Sequence, residues 1–379
     1  MENALKVRLQ SIHLAEPQIY KNIAIVPLVA PADGTFQYCT LNEALGAANV
    51  AITEVSASGS VPELMVLNRG NRPVLLIDGE ELAGARQNRV LNTSILVKEA
   101  SETKIPVSCT EQGRWAYTSK VFSESGNVMA YKSRSRKTRS VHCSLEASAG
   151  HKSDQGEVWH GIAELQAASC MPPSPTAAMS DVYKAREEDL RECDKIFKPV
   201  ANQVGLLAFI GGAPAGADMV SLTGAYAKVH PKLVRSYALE ALIESAQPPF
   251  PEPSPSSASS PTQPPPSPHA SELLTVGHSF LLQVAAADER QFPSVGYGTD
   301  FRYRSVTPHS ALGTPHSAAA TPHSAPRTPH SIVGTALVHE NEVIHAAFFC
   351  LEESDRPDGL AALRLRRHWL SRNDRTGSV

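Results

Sequence analysis

The sequence predicts an α+β protein: mainly antiparallel sheet with a helical middle section, in one domain carrying two disordered loop inserts. Three observations lead there. Short apolar runs with alternating polarity crowd the first 115 residues and return after about residue 300, which is a strand signal. Between them lie stretches with helical spacing. Two segments, 247–270 and 305–331, have compositions that cannot build a core. Strands at both ends of the chain suggest one sheet system closing on itself. The expected boundaries are 20–355 for the domain and 356–379 for a basic tail with a short helix over 360–370.

In order, residues 1–22 form a polar lead-in of open structure. Ile23–Val29 (IAIVPLV) reads as a strand, with Pro27 pointing to an edge position. Leu41–Ala48 suits a short helix, and 50–55 and 61–67 suit two strands parted by a Ser/Gly turn. Val74–Ile77 is a buried run stopped by the Asp78-Gly79 turn. Asn88–Val97 alternates, with Leu91, Thr93, Ile95 and Val97 on one face, and Ile105–Glu111 alternates again. That makes about six strands in 115 residues.

From Ser119 the chain turns polar, and 131–139 (YKSRSRKTR) reads as a solvated basic loop. Glu157–Cys170 and Val182–Phe197 repeat apolar residues at helical spacing. VGLLAFI (204–210) followed by Gly211-Gly212 and Met219-Val220 is a hairpin pattern. A helix starting near Pro231 follows, since proline suits a first turn. After the Pro/Ser-rich insert, Glu272–Asp288 is helical and 301–306, 332–338 and 343–349 are closing strands. The TPHS units starting at Thr307, Thr314, Thr321 and Thr328 repeat every seven residues, but a proline in each forbids a coiled coil.

The net charge of −3 gives no global field for nucleic acid. Six scattered cysteines without a C-x-x-C pair suggest reduced, packed thiols. The start carries charges and no apolar signal region, and no run reaches the roughly 18 apolar residues of a membrane span. The expectation is a cytoplasmic protein without membrane contact.

Chemistry concentrates in Asp78–Trp115. Glu80 and Glu111 are the candidate acid/base carboxylates, because such work needs a carboxylate held by polar neighbours. Arg86, Gln87, Asn88 and Arg89 form a donor-rich set suited to phosphate or nucleotide edges. Gln112, Arg114 and Trp115 repeat the theme, with a ring able to stack on a base or sugar. Each also has a plain reading as solvated turn, salt-bridged sheet edge or plug. Cys109 falls on the apolar side of its strand, as a packed thiol would. No third spaced acid completes a metal set, so no metal is expected, and no cofactor is indicated. Pairing of 88–97 with 105–111 would set Asn88–Val90 beside Glu111–Arg114.

The run LLIDGEELAGARQNRVLNTSILV, followed by IPVSCTEQGRW, resembles the ARG and rhodanese-phosphatase-superfamily-associated protein domain. VGLLAFIGGAPAGADMV, PSVGYGTDFRYRS and TALVHENEVIHAAFF are similar to that family as well. The family's name, read as ADP-ribosylglycohydrolase company, implies a link to NAD or ADP-ribose metabolism. It implies a small phosphate-containing ligand and an ADP-ribosylglycohydrolase-type functional partner, and supplies no catalytic residues. The alternative is a non-catalytic interaction module. RNA binding through 131–139 is a weaker third reading, because only Tyr131 interleaves the basic residues.

Overall fold

Apolar runs from the two ends of the chain meet in one sheet. The computed structural model describes residues 3–56, 59–172, 174–244, 268–305 and 331–351. Its elements in order are α1 (Ala4–Ser11), β1 (His13–Leu14), β2 (Gln18–Tyr20), β3 (Ile23–Val29), β4 (Cys39–Thr40), α2 (Leu41–Gly46), β5 (Val50–Glu54), β6 (Glu63–Asn68), β7 (Val74–Leu76), β8 (Glu80–Gly84), β9 (Arg89–Leu91), β10 (Ile95–Val97), β11 (Ser101–Cys109) and β12 (Phe122–Val128). Then come α3 (Tyr131–Glu146), α4 (Gln155–Ala168), α5 (Met179–Ala185), α6 (Glu187–Ile196), β13 (Gln203–Ile210), β14 (Ala213–Val220), α7 (Thr223–Ile243), α8 (Pro268–Ala285), β15 (Asp288–Pro293), β16 (Thr299–Ser305), β17 (Ile332–His339) and β18 (Glu342–Cys350). The class is mixed α+β with mostly antiparallel strands, as the alternation implied. The Pro/Ser-rich insert, the TPHS repeat and the basic tail lie almost wholly outside the described residues.

A nine-stranded sheet runs β1-β3-β13-β14-β18-β17-β16-β15, with β2 also on β3. Its middle strands are buried on both faces, which is why VGLLAFI is continuously apolar instead of alternating. On one face Leu5 and Leu9 of α1 and Leu273 and Phe280 of α8 pack on Val26, Leu207 and Phe348. On the other, Val234 and Tyr237 of α7 pack with Ile25, Leu206 and Phe349. Gly211 and Gly212 take φ of 58° and 78° in the two-residue turn joining β13 to β14, a conformation that glycine adopts without a Cβ penalty.

Six of the remaining strands close a barrel in the order β11-β6-β5-β12-β8-β9. Its interior holds Ile52, Leu64, Val66, Leu82, Leu91, Ile105, Val107 and Phe122. A three-stranded sheet, β10-β7-β4, lies between the two systems. Alternation gives its two faces to different cores: Val74, Leu76, Ile95 and Val97 join the barrel interior, while Leu75 and Leu96 join the core under α7.

Several sequence expectations change. Pro27 is not on a free edge, since β3 is flanked by β13 on one side and by β1 and β2 on the other. Its carbonyl accepts from Ala15 N, so the missing N–H faces the break between β1 and β2 and no ladder bond is lost. The alternating run 88–97 is two strands: β9 belongs to the barrel, β10 to the small sheet, and Asn92, Thr93 and Ser94 carry the chain across. Val182–Phe197 is likewise two helices divided at Arg186. Pro231 lies inside α7, which starts at Thr223. Residues 131–139 are the first turns of α3, not a loop, and the polar 122–128 is a barrel strand.

Candidate functional site

Strand register collects the polar run at one end of the barrel. β5 ends at Glu54, β8 ends at Gly84, β9 begins at Arg89 and β11 ends at Cys109, and pairing brings these termini to the same rim. Three connections therefore leave from that rim: β5 to β6, β8 to β9, and β11 to β12. They carry Gly59, then Arg86, Gln87 and Asn88, then Glu111 through Tyr117. The expected approach of Asn88–Val90 to Glu111–Arg114 is met at Asn88, whose N–H donates to Glu111 Oε2 at 3.1 Å and whose Oδ1 accepts from Arg114 Nη2 at 3.2 Å, whereas Arg89 and Val90 lie opposite Cys109 and Ser108.

Inside the rim, alternation sets a polar layer on the apolar interior. Glu54, Arg89 and Cys109 have the same inward parity as Ile52, Leu91 and Val107. Arg89 is fully buried. Its Nη1 donates to Gln87 Oε1 at 3.1 Å and to Asn88 O at 3.4 Å, while Nε and Nη2 meet no acceptor. Burial lowers its pKa, opposed by Cys109 and Glu54. Both carboxylate oxygens of Glu54 are also buried without a hydrogen-bond partner. The Cys109 thiol is raised by burial and touches its own strand end, Sγ to Glu111 O at 3.4 Å, as a packed thiol should.

The outer loops are tied to one another. Arg114 Nη2 meets Glu111 Oε2 at 2.6 Å, and the same oxygen accepts from Asn88 N at 3.1 Å. Arg114 Nη1 also donates to Ala85 O at 2.8 Å and Ala116 O at 2.9 Å. Gln87 Nε2 reaches Glu111 O at 2.8 Å. Glu111 and Arg114 thus act as a clamp between two loops. Above them the Arg86 guanidinium lies 5.4 Å from the Trp115 ring and 4.5 Å from the Tyr117 ring, and Arg89 lies 5.8 Å from Trp115. Trp115 and Tyr117 remain 47% and 50% exposed, and Gln112 is exposed beside them.

Glu80 is not part of this cluster. It stands at the other end of β8, roughly 13 Å of strand from Gly84 at ~3.3 Å per residue. There it is buried against Lys232 of α7, which also holds Glu124 at 2.5 Å, and it accepts from Ile77 N at 3.1 Å. Burial raises its pKa against the pull of Lys232. The neighbouring Glu81 faces outward, accepting from Thr110 Oγ1 at 3.0 Å. Burial pushes it up to about 7, although Ser125, Thr110 and Asn127 oppose the shift.

Sequence reasoning missed a second polar assembly. Arg134 Nε donates to Asp78 Oδ2 at 3.0 Å, and its Nη1 and Nη2 donate to Asp218 at 3.1 and 2.7 Å. Lys137 binds Asp78 as well, and Tyr237 OH donates to Asp218 at 2.7 Å. Asp78 N donates to Ser94 Oγ at 3.0 Å, which meets His345 Nδ1 at 2.8 Å. Thr93 joins Asp300 and Arg302, at 2.9 and 2.7 Å, in an adjoining group with His151. The acids involved (Asp78, Asp218, Asp300) match the strong bases (Arg134, Lys137, Arg302), so the buried charge balances. The other cations of 131–139 are paired too: Lys132 with Glu244, Arg136 with Glu164 and Arg139 with Glu157. Only spacing i, i+3 of Arg134 and Lys137 marks that inward face in the sequence.

A small cleft lined by Cys39, Asn49, Asn68 and Arg72 includes none of these residues. Among the described residues no group of three or more His, Cys, Asp or Glu side chains is arranged to hold a metal ion, and no helix is long and apolar enough to cross a membrane. One protein family, described as ARG and Rhodanese-Phosphatase-superfamily-associated Protein domain, matches residues 11–349. No curated protein and no solved structure matches.

Proposed function

The chain belongs to the ARG and Rhodanese-Phosphatase-superfamily-associated Protein domain family, and from that premise we propose that the rim of its barrel binds a small phosphate-bearing ligand of nucleotide or ADP-ribose type. The observation that carries this reading is Arg89. A wholly buried guanidinium with two nitrogens unmatched is costly, because a charged donor without an acceptor loses its hydration and gains nothing. A phosphate oxygen supplies what is lacking, and does so in a water-poor site where the attraction is strong. Trp115 covers Arg89 and keeps much of its surface in solvent, so the same ring can move aside and then stack on a base or sugar.

The role assigned here is binding. Glu111 is engaged by Arg114 and Asn88 N, and Glu80 lies at the far end of the strand, so neither carboxylate is offered to a ligand above Arg89. The family name, with its ADP-ribosylglycohydrolase association, makes ADP-ribose the first probe to try. A second reading, a protein-interaction surface, is favoured by Val121, 49% exposed close in sequence to Trp115 and Tyr117.

Thermal unfolding with ADP-ribose, ADP and inorganic phosphate separates the two. A ligand that binds the native state raises its stability by RT ln(1 + [L]/Kd). The anion reading expects a rise with at least one probe that disappears in Arg89→Gln. No rise with any of them leaves the interaction surface as the better account.

A further inference from the structure

Two groups at the rim are left without partners, and they are of opposite kind. Arg89 has spare donors in Nε and Nη2, and Glu54 has spare acceptors in both carboxylate oxygens. They lie on the inward faces of β9 and β5 at the same end of the barrel, and Arg89 feels the charge of Glu54. Were the pair built for each other they would close, as Arg134 and Asp218 do through two hydrogen bonds. No such bond joins them.

We infer that Glu54 receives a hydroxyl of the ligand whose phosphate rests on Arg89, which makes the ligand a phosphorylated sugar and not a bare anion. This rests on the anion reading above and adds a selectivity to it. A carboxylate beside an anion site repels a second phosphate, so it fits only a group able to donate. An alcohol a few bonds from a phosphate ester presents that arrangement: acceptor oxygens for Arg89, an O–H for Glu54. The sugar ring between them would lie over Cys109, the third inward residue, whose raised, neutral thiol adds no charge. Sites that hydrogen-bond a substrate hydroxyl discriminate strongly against analogues lacking it, because the buried group is then left unpaired.

Calorimetric titration with three probes tests this: inorganic phosphate, ribose 5-phosphate, and tetrahydrofurfuryl phosphate, which keeps the ring and phosphate but has no hydroxyl. The wild-type protein should hold ribose 5-phosphate at least about tenfold more tightly than the hydroxyl-free ester. Glu54→Ala should erase that preference while inorganic phosphate binds as well as before or better, and Glu54→Gln, whose amide oxygen still accepts, should keep part of it. Far-ultraviolet dichroism and unfolding midpoints confirm that both variants fold, and the conservative Glu54→Gln carries the comparison if the alanine variant does not. Equal affinity of wild-type protein for the two esters overturns the role of Glu54 and leaves the anion site standing; a water molecule bridging Glu54 and Arg89 would give that result. Failure of all three probes to bind overturns the role of Glu54, and the anion reading falls with it when ADP-ribose and ADP give no thermal shift either.

Discussion

Arg134 donates Nη2–H to Asp218 Oδ1 at 2.7 Å and Nη1–H to Asp218 Oδ2 at 3.1 Å, with neither side chain reaching solvent. The third guanidinium nitrogen, Nε, holds Asp78 beside the barrel, so one side chain of α3 fastens the barrel to the nine-stranded sheet. Removing it leaves two buried carboxylates, Asp78 and Asp218, with one strong base, Lys137, beside them. Arg134→Met is expected to lower stability by about 3–5 kcal/mol in urea unfolding. Arg134→Lys should rescue little, since an ammonium cannot span the fork.

The same pair sets an acid limit. Burial alone would raise the Asp218 carboxyl, but Arg134 and His345 outweigh it and hold it down at about 2. A carboxyl depressed in the folded state contributes stability that is complete above its ordinary value near 3.8 and fades as pH falls from there towards 2. Stability measured from pH 6 to 2 should drop below about pH 4, and the drop should be shallower in Arg134→Met, where the stabilising charge is already gone.

Glu81 works in the opposite sense. With its pKa raised to about 7 by burial, the folded state binds a proton more tightly than the unfolded chain does. Stability from this group is therefore complete below about pH 4.5 and is lost as pH rises towards 7. Glu81→Gln, neutral at every pH, should unfold at higher denaturant than wild type at pH 8, with the gap closing as the pH is lowered to 4.5. A gap independent of pH would contradict the assignment.

Gly113 fixes where the Trp115 loop can sit. A Cβ there would come within 2.4 Å of Pro175 O and 2.8 Å of Thr176 Cα, both backbone atoms that cannot swing away. Its own N–H donates to Thr176 O at 2.9 Å. Gly113→Ala should cost about 1–3 kcal/mol and shift the emission of Trp115, with the barrel's strand signal in circular dichroism preserved.

Trp115→Ala removes two cation–π contacts, each worth about 0.5–1 kcal/mol at an exposed site. Melting should fall slightly, while exchange of the Arg86 and Arg89 side-chain protons quickens. A large loss of stability would mean that the ring is a core plug and not a cover.

The buried strands of both sheet systems were legible because backbone alternation and apolar runs report burial directly, whereas the polar β12 and the exposed β15 carry no such signal. VGLLAFI could be read as one arm of a hairpin, and Asn88 could be brought to Glu111 and Arg114 by pairing alone. What stayed hidden was burial of charge. Arg134 and Lys137 point inward on turns of α3 (132–140) that hold no apolar residue, and their partners Asp78 and Asp218 are 56 and 84 residues from Arg134. Hydrophobic periodicity cannot find a face whose burial is made good by ion pairs. Glu80 was misplaced for a simpler reason: one strand, β8, separates it from the rim, and nearness in sequence hides nearly the full height of the barrel. Glu54 passed unnoticed because a single acid at a strand end has no pattern of its own.

Ser305 and Ile332 face each other in the β16–β17 ladder, and Ile332 N donates to Ser305 Oγ at 3.2 Å. All four TPHS units fall between these two residues. The point where the chain leaves the sheet and the point where it returns are thus neighbours, whatever the number of units strung between them. Closing a longer loop costs only about 0.6 kcal/mol for each doubling of its length. Copy number at this locus is therefore nearly invisible to folding. Slippage in a repeated gene segment can lengthen or shorten it by a unit at little cost, and variants with three units or five should melt within about a degree or two of each other.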